Sequence, residues 1–386
     1  MKKAEKCVRL PADEHFHKGQ AIEWWYFNGF LEGEGGGRGE EKAGRNGGSG
    51  KERGKGVGGC EGGGHKYSFM TCLFKAEKDK VNLSFLKLPV KTIYFSHSLL
   101  FDLTTGKVEK EVLPFVMLSE DSFKAEELKI NYFYPLRTDY INYEISRFGE
   151  AMRLKTKWFD LVLDNKKPPL LEGGKGYIEL PGKSTYYYSY SRMEAQGVVG
   201  KERVKGIAWH DKQWSTAGFM DDYWLWFSIQ AEDGTDIVCF DYKGKKMATI
   251  SYGEGDGCGI GGGHGGGGGG GVVGGGGRQK TLPVTFEPTG RAWESPGTGI
   301  SYNLKWRIKV GGYVIETAPF MEDCEMRFGF INYWEGPLKV SVNGKPAKGF
   351  MEFLAKKGVS GITGMIEREV ELAMGKMRKF KRFLVG

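Results

Sequence analysis

Between Ile207 and Gln230 the chain reads IAWHDKQWSTAGFMDDYWLWFSIQ, gathering four of its ten tryptophans, three acids and a histidine into two short runs joined by Ser-Thr-Ala-Gly. A period-two alternation puts Ile207, Trp209 and Asp211 on one face of the first run. It puts Trp224, Trp226, Ser228 and Gln230 on one face of the second. A carboxyl set among indoles is desolvated, which disfavours its charged form, raises its pKa and lets it hold a proton to donate. Aromatic faces stabilise a cation without trapping it.

Those are parts of an acid-catalysed reaction that passes through a cation: a local acid, walls that tolerate the cation, and a positioned water. Asp211 is the candidate general acid, and Asp222 the second carboxyl that places or deprotonates the water. His210, on the opposite face by parity, is an alternative acid if its strand is bulged. Trp209, Trp224, Trp226 and Tyr188 are candidate walls of the cation site. Arg192 and Lys212 are the cations that could instead pair with these acids, and Arg192 is counted with the ligand-contacting set. Glu23 and Trp25 are the equivalents in the first half of the chain. This chemistry calls for no metal or organic cofactor.

The elements that must position these groups are short strands. Glu23–Leu31 (EWWYFNGFL) is the first, with Glu23, Trp25 and Phe27 on one face and Trp24, Tyr26, Asn28 and Phe30 on the other. A Gly-rich, charged segment over 33–64 separates it from Tyr67–Lys75, as in a hairpin with an enlarged, disordered loop. Runs of four to ten β-branched and aromatic residues follow, broken by Gly, Pro, Asn or Asp, and helical periodicity is scarce. That texture predicts an all-β fold of sandwich or barrel type. Asp222, Trp224 and Trp226 repeat the spacing of Glu23, Trp25 and Phe27, and a second Gly-rich insertion spans 253–277, which suggests two related β-domains. We place them at 1–195 and 196–355, followed by a tail over 356–386. Within that tail Ile366, Val370, Met374, Met377, Phe380 and Leu384 mark a basic amphipathic helix over 361–384. It is a candidate to dock on a barrel or to touch an anionic membrane surface.

Composition narrows the function classes. The chain has 386 residues, and 34 of its 62 glycines lie in the two insertions, so the rest of the chain uses glycine ordinarily. Its formal charge of +8 is small, and no basic stripe interleaves with stacking aromatics, which argues against nucleic acid. The charged N-terminus lacks an apolar h-region and no window approaches a membrane span, so the expected location is cytoplasmic with free thiols. Cys60, His65, Cys258 and His264 could close a zinc site only if both insertions met, and no phosphate-binding fingerprint occurs.

His15 and His17, followed in order by EWWYFNGFL, KPPLLEGGKGY, YYYSYSRMEAQG, GIAWHDKQW, DDYWLWFSIQAEDG and NYWEGPLKVSVNGKPAKGFMEF, resemble the AttH-type lipocalin-like family. That family includes carotenoid 1,2-hydratases (hydroxyneurosporene synthases). The resemblance implies two lipocalin-like antiparallel β-barrels, and a closed barrel of about eight strands can hold one small apolar ligand. It also implies a hydratase acting on an isoprenoid or other apolar polyene. The rival expectation is a carrier of a lipid, pigment or isoprenoid in which acids and tryptophans only shape the pocket.

Overall fold

The computed structural model describes residues 6–35, 64–81, 90–125, 127–219, 222–253, 279–328 and 331–355, with 372, 374–376 and 378 of the tail. Most of both Gly-rich insertions, and nearly all of the expected tail helix over 361–384, lie outside the described residues.

The first half opens with a meander: β1 (Ile22–Gly33), β2 (Lys66–Glu77), β3 (Thr92–Asp102) and β4 (Lys107–Leu113). The chain then passes through β5 (Met117–Leu118), β6 (Lys129–Phe133), β7 (Tyr143–Phe148), β8 (Ala151–Lys155) and β9 (Phe159–Asn165). Two short strands, β10 (Leu170–Leu171) and β11 (Tyr177–Leu180), precede a long hairpin of β12 (Lys183–Val199) and β13 (Glu202–Ser215). Strand β13 closes the arrangement by pairing with both β12 and β1. The sheet runs β4-β3-β2-β1-β13-β12-β9-β8-β7-β6-β5 and is antiparallel throughout.

The second half repeats the scheme. Strands β14 (Trp224–Ala231), β15 (Asp236–Tyr242), β16 (Lys245–Ser251) and β17 (Gln279–Leu282) form its opening meander. Then come β18 (Val284–Pro288), a small separate hairpin of β19 (Trp293–Glu294) and β20 (Ser301–Tyr302), and β21 (Trp306–Val310) and β22 (Tyr313–Pro319). Last are β23 (Glu325–Phe328), β24 (Ile331–Val342) and β25 (Lys345–Leu354). The sheet order β17-β16-β15-β14-β25-β24-β22-β21-β18 matches the first sheet strand for strand through its fifth member, with β25 closing on β14 as β13 closes on β1. Both sheets curl into barrel-like units, so the all-β architecture expected from the strand texture is the one observed.

Two details differ from the sequence reading for physical reasons. The changeover between sheets falls between Ser215 and Trp224, not at 195/196, because β12 and β13 form one continuous hairpin and cannot be divided without breaking its ladder. The internal repeat is also offset by one residue: Trp24, Tyr26 and Asn28 correspond to Trp224, Trp226 and Ser228. The alignment of Glu23, Trp25 and Phe27 with Asp222, Trp224 and Trp226 puts the wrong faces together, since a one-residue slip on a strand inverts every side chain.

The first barrel is filled by its own core, including Trp25, Phe27, Phe69, Tyr143 and Tyr188. The opposite face of β1, β2, β3 and β13 packs on the second sheet: Tyr26, Cys72 and Trp209 share one apolar cluster with Trp226, Phe227 and Phe350. Close approach of β1 and β13 depends on Gly206, where a Cβ would stand 1.9 Å from the Phe30 carbonyl oxygen. Gly206→Ala is therefore expected to destabilise the fold by about 1–3 kcal/mol in denaturant titrations, through overpacking against backbone that cannot yield.

Candidate active site

A cavity of about 130 Å³ lies between the two sheets, lined by residues of both. The family resemblance put ligand space within a barrel; here bulky side chains fill the first barrel, while both sheets turn residues toward the gap between them. The register explains which ones. On the first sheet Asp211, Tyr26, Cys72 and His97 sit directly opposite one another across β13, β1, β2 and β3. On the second, Phe240, Trp226, Glu352 and Glu335 form the corresponding row across β15, β14, β25 and β24. All eight line the cavity, which Trp24, Phe74, Tyr187, Phe219, Trp224 and Tyr333 extend.

Asp211 stands at the β13 end of the first row. The Trp209 indole N–H donates to its Oδ1 at 2.6 Å and the Tyr187 hydroxyl donates to its Oδ2 at 2.6 Å. Trp226, reaching over from the second sheet, donates its indole N–H to the Tyr187 oxygen at 2.8 Å. Burial pushes the Asp211 carboxyl up to about 7 against the opposing pull of those donated hydrogen bonds. Asp211 is thus a carboxyl that keeps its proton to near-neutral pH while facing aromatic walls.

Two further carboxyls face it. The Trp224 indole donates to Glu352 Oε1 at 2.7 Å, and burial raises Glu352 to about 7, with the Asp211 charge adding to the rise. The Tyr26 hydroxyl donates to Glu335 Oε1 at 2.8 Å, and burial followed by the neighbouring Glu352 pushes Glu335 well above the ordinary carboxylate range. His97, with its Nδ1 2.5 Å from the Tyr333 hydroxyl, is held neutral by burial, down to about 3. Among the described residues no lysine or arginine lines the cavity. Its charge balance therefore favours a positive species within it, and the indole and phenol faces add to that preference.

The sequence-derived residues divide. Asp211, Trp224 and Trp226 line the cavity, and Trp209 supports Asp211 from behind it. Asp222 does not line it. Burial would raise that carboxyl, but hydrogen bonds from Lys183 at 2.5 Å, from Tyr242 and from Lys243 at 3.1 Å hold it below its usual value as a paired carboxylate. His210 points into the first barrel, stacked on Phe27 at 4.1 Å, its Nδ1 2.9 Å from the Tyr26 carbonyl oxygen. Burial lowers it to about 3. The bulge that would have turned it is on β12, between Tyr190 and Met193, and not on β13.

That same bulge sends Arg192 to the second-sheet side, where it binds Asp236 at 2.6 Å and fastens the two sheets together. Tyr188 lies in the first barrel's core. Ser189 is the residue paired with Asp211, so parity puts Tyr187, not Tyr188, beside that carboxyl. Glu23 and Trp25 also face the first barrel's interior. There Glu23 is ion-paired with Lys212 and with Lys75 at 3.1 Å, and the Lys212 ammonium sits 3.4 Å over the Trp25 ring. Burial works against the Glu23 charge, yet Lys212, His17 and Lys75 hold it down to about 2. Glu23 is thus a buried carboxylate in an ion pair, outside the lining of the cavity.

Sequence reasoning did not single out Tyr26, Tyr187, His97, Tyr333, Glu335 or Glu352. A usable signal existed for the two glutamates: each interrupts an apolar strand run, Trp334-Glu335-Gly336 and Met351-Glu352-Phe353, where an unpartnered acid would be costly. Of the proposed zinc ligands, Cys60, Cys258 and His264 lie outside the described residues, and His65 Nδ1 is 3.0 Å from Asp102. No helix among the described residues is long and apolar enough to cross a membrane.

A family model described as AttH-like matches residues 61–356. A Nitrosomonas europaea crystal structure assigned to AttH superimposes with a TM-score of 0.62 at 20% identity, over 92% of this chain and 99% of its own. Kievitone hydratase from Nectria haematococca superimposes with a TM-score of 0.60 at 15% identity, over 92% and 94% of the two chains. At such identities the structural likeness is one of fold. No curated protein matches the sequence.

Proposed function

The chain belongs to the AttH-like family, and from that premise we propose that it is a hydratase adding water across a C=C of an apolar small molecule held between its two sheets. The observation that carries the reading is the pairing of a proton-holding carboxyl, Asp211, with aromatic walls in a cavity whose described lining contains no fixed cation. In this reading Asp211 protonates the alkene, and Tyr26, Trp224 and Trp226 face the tertiary cation that results. Tyr187 and Trp209 orient the carboxyl and accommodate its conjugate base. The hydratase among the structural neighbours is in keeping with this chemistry. Isoprenoids and carotenoids are the substrate classes we favour, because a mostly apolar cavity selects for hydrocarbon and the chemistry needs a double bond whose protonation gives a tertiary centre.

The rate is expected to fall as pH rises through about 7, because the reactive form of Asp211 is the protonated one. Tyr187→Phe removes a donor that favours the charged carboxylate, so this alkaline limb is expected to move upward by roughly one pH unit in kcat/KM profiles. A fixed or downward-moving limb would detach Tyr187 from the acid.

A cation mimic tests the site without knowledge of the natural substrate. Calorimetry at neutral pH is expected to show dimethyldodecylamine binding about tenfold or more tighter than its neutral tertiary-alcohol isostere, a preference reduced in Asp211→Asn. Equal affinity for the two would favour a carrier of neutral lipid, pigment or isoprenoid.

A further inference from the structure

The repeat of the fold places a second carboxyl where Asp211 has its counterpart. Tyr26 on β1 is paired with Asp211 on β13, and Trp226, its equivalent on β14, is paired with Glu352 on β25. The two halves meet at equivalent positions: Asn28 Nδ2 donates to Ser228 Oγ at 3.2 Å, and the Tyr26 and Trp226 rings meet edge to face at 5.3 Å. Each carboxyl receives one indole N–H, Asp211 from Trp209 and Glu352 from Trp224. Glu352 thus occupies on the second wall of the cavity the place that Asp211 occupies on the first.

Glu352 has a partner that Asp211 lacks. Glu335 is its direct neighbour across the β24–β25 ladder, a pairing that sets Cβ atoms about 5 Å apart. Two carboxylates so placed resist ionising together, so one proton is retained while the other site stays free to accept. The Tyr26 hydroxyl, donated to Glu335, fixes that member of the pair.

We propose that Glu352, seconded by Glu335, is the base that activates the attacking water, working from the wall opposite Asp211. The assignment rests on the hydratase reading. In the step, the Asp211 O–H bond breaks and a C–H bond forms at the less substituted alkene carbon, using the π electron pair. The water oxygen then gives a lone pair to the cationic carbon, and Glu352 takes a proton from the resulting oxonium. One water is added, nothing is oxidised or reduced, and the proton left on Glu352 returns to Asp211 through solvent exchange once product leaves. Because acid and base stand on opposite walls, proton and hydroxyl arrive on opposite faces of the double bond.

The test uses the full chain with a mixed isoprenoid extract in deuterium oxide enriched in heavy oxygen, read by mass spectrometry. Glu352→Gln is expected to lower labelled alcohol by about thirtyfold or more while deuterium still enters the recovered alkene, since Asp211 can protonate it and retake the proton. Asp211→Asn is expected to lose both. Glu352→Asp keeps the carboxyl and is expected to return about a tenth or more of the wild-type alcohol, which decides the matter if Glu352→Gln does not fold. Alcohol from Glu352→Gln within about threefold of wild type would overturn the assignment. So would joint loss of alcohol and deuterium uptake in a variant that still binds dimethyldodecylamine, and so would a folded Glu352→Asp without alcohol. No alcohol from the wild type would instead remove the hydratase reading, an outcome distinct from an active wild type with an active variant.

Discussion

Asp211→Asn is expected to lower the rate of alkene hydration by about 10²–10⁴, the range over which a positioned general acid contributes, while changing affinity for a neutral apolar ligand by no more than about threefold. Asparagine keeps the size of the side chain and can still accept the Trp209 N–H through its carbonyl oxygen, so the cavity wall is preserved. What it removes is the transferable proton, held in the wild type by burial that pushes the carboxyl up to about 7. Loss in kcat with KM unchanged is the signature of an interaction made only in the transition state. A parallel loss of binding would make Asp211 a wall residue, and an unchanged rate would send the search for the acid to Glu335 or Glu352, the other carboxyls of the cavity.

The same substitution carries a stability consequence of opposite sense. A buried acid whose folded pKa is raised binds its proton more tightly in the folded than in the unfolded state. It therefore costs stability as pH rises from its unfolded value, near 4, through its folded value, about 7. At 1.36 kcal/mol per pH unit over about three units, the ionisation of Asp211 costs on the order of 4 kcal/mol by about pH 8. Asn does not titrate. Relative to the wild type, Asp211→Asn is then expected to gain on the order of 4 kcal/mol between about pH 4 and pH 8, whatever constant offset its altered hydrogen bonds impose. Denaturant titrations of both proteins across that window measure it. A pH-independent difference would mean that Asp211 titrates alike in the folded and unfolded states, and the acid role would lose its physical basis. Replacing a catalytic acid and stabilising the protein above neutral pH is the expected pattern of a site that holds strain for function.

How much of this was legible in the sequence follows from what each signal encodes. Strand texture was enough for an all-β fold, because period-two alternation is a local property, whereas the pair of barrels was implied by the resemblance to the AttH-type family. The Asp211 cluster was legible for the same reason: Trp209 and Asp211 share a face two residues apart, and Trp224 and Trp226 share another. What local pattern does not carry is pairing. Glu335 and Glu352 reach the site only because β25 closes on β14 and β24 lies beside β25. Tyr26 reaches it because β1 lies against β13 in a register that sets it opposite Asp211. His210 and Asp222 were legible as unusual neighbours of Asp211, but one lies on the other strand face and the other is committed to Lys183, Lys243 and Tyr242. A single extra residue in β12 was enough to carry Arg192 to the side where it meets Asp236.

The interface position of the cavity has a chemical sense. Walls from two sheets bring carboxyls from both halves of the repeat to one space, whereas a ligand inside one barrel would meet acids of that barrel alone. The apolar cluster that joins the sheets keeps water scarce around these carboxyls, and that scarcity is what raises them.

The most direct measurement is mass spectrometry of the wild-type protein incubated with a mixed isoprenoid and carotenoid extract in water enriched in heavy oxygen. A hydratase gives a product heavier than its parent by one labelled water, formed by the wild type and absent with Asp211→Asn. Unchanged ligand carried equally by both proteins would contradict the hydratase reading and leave an AttH-like carrier.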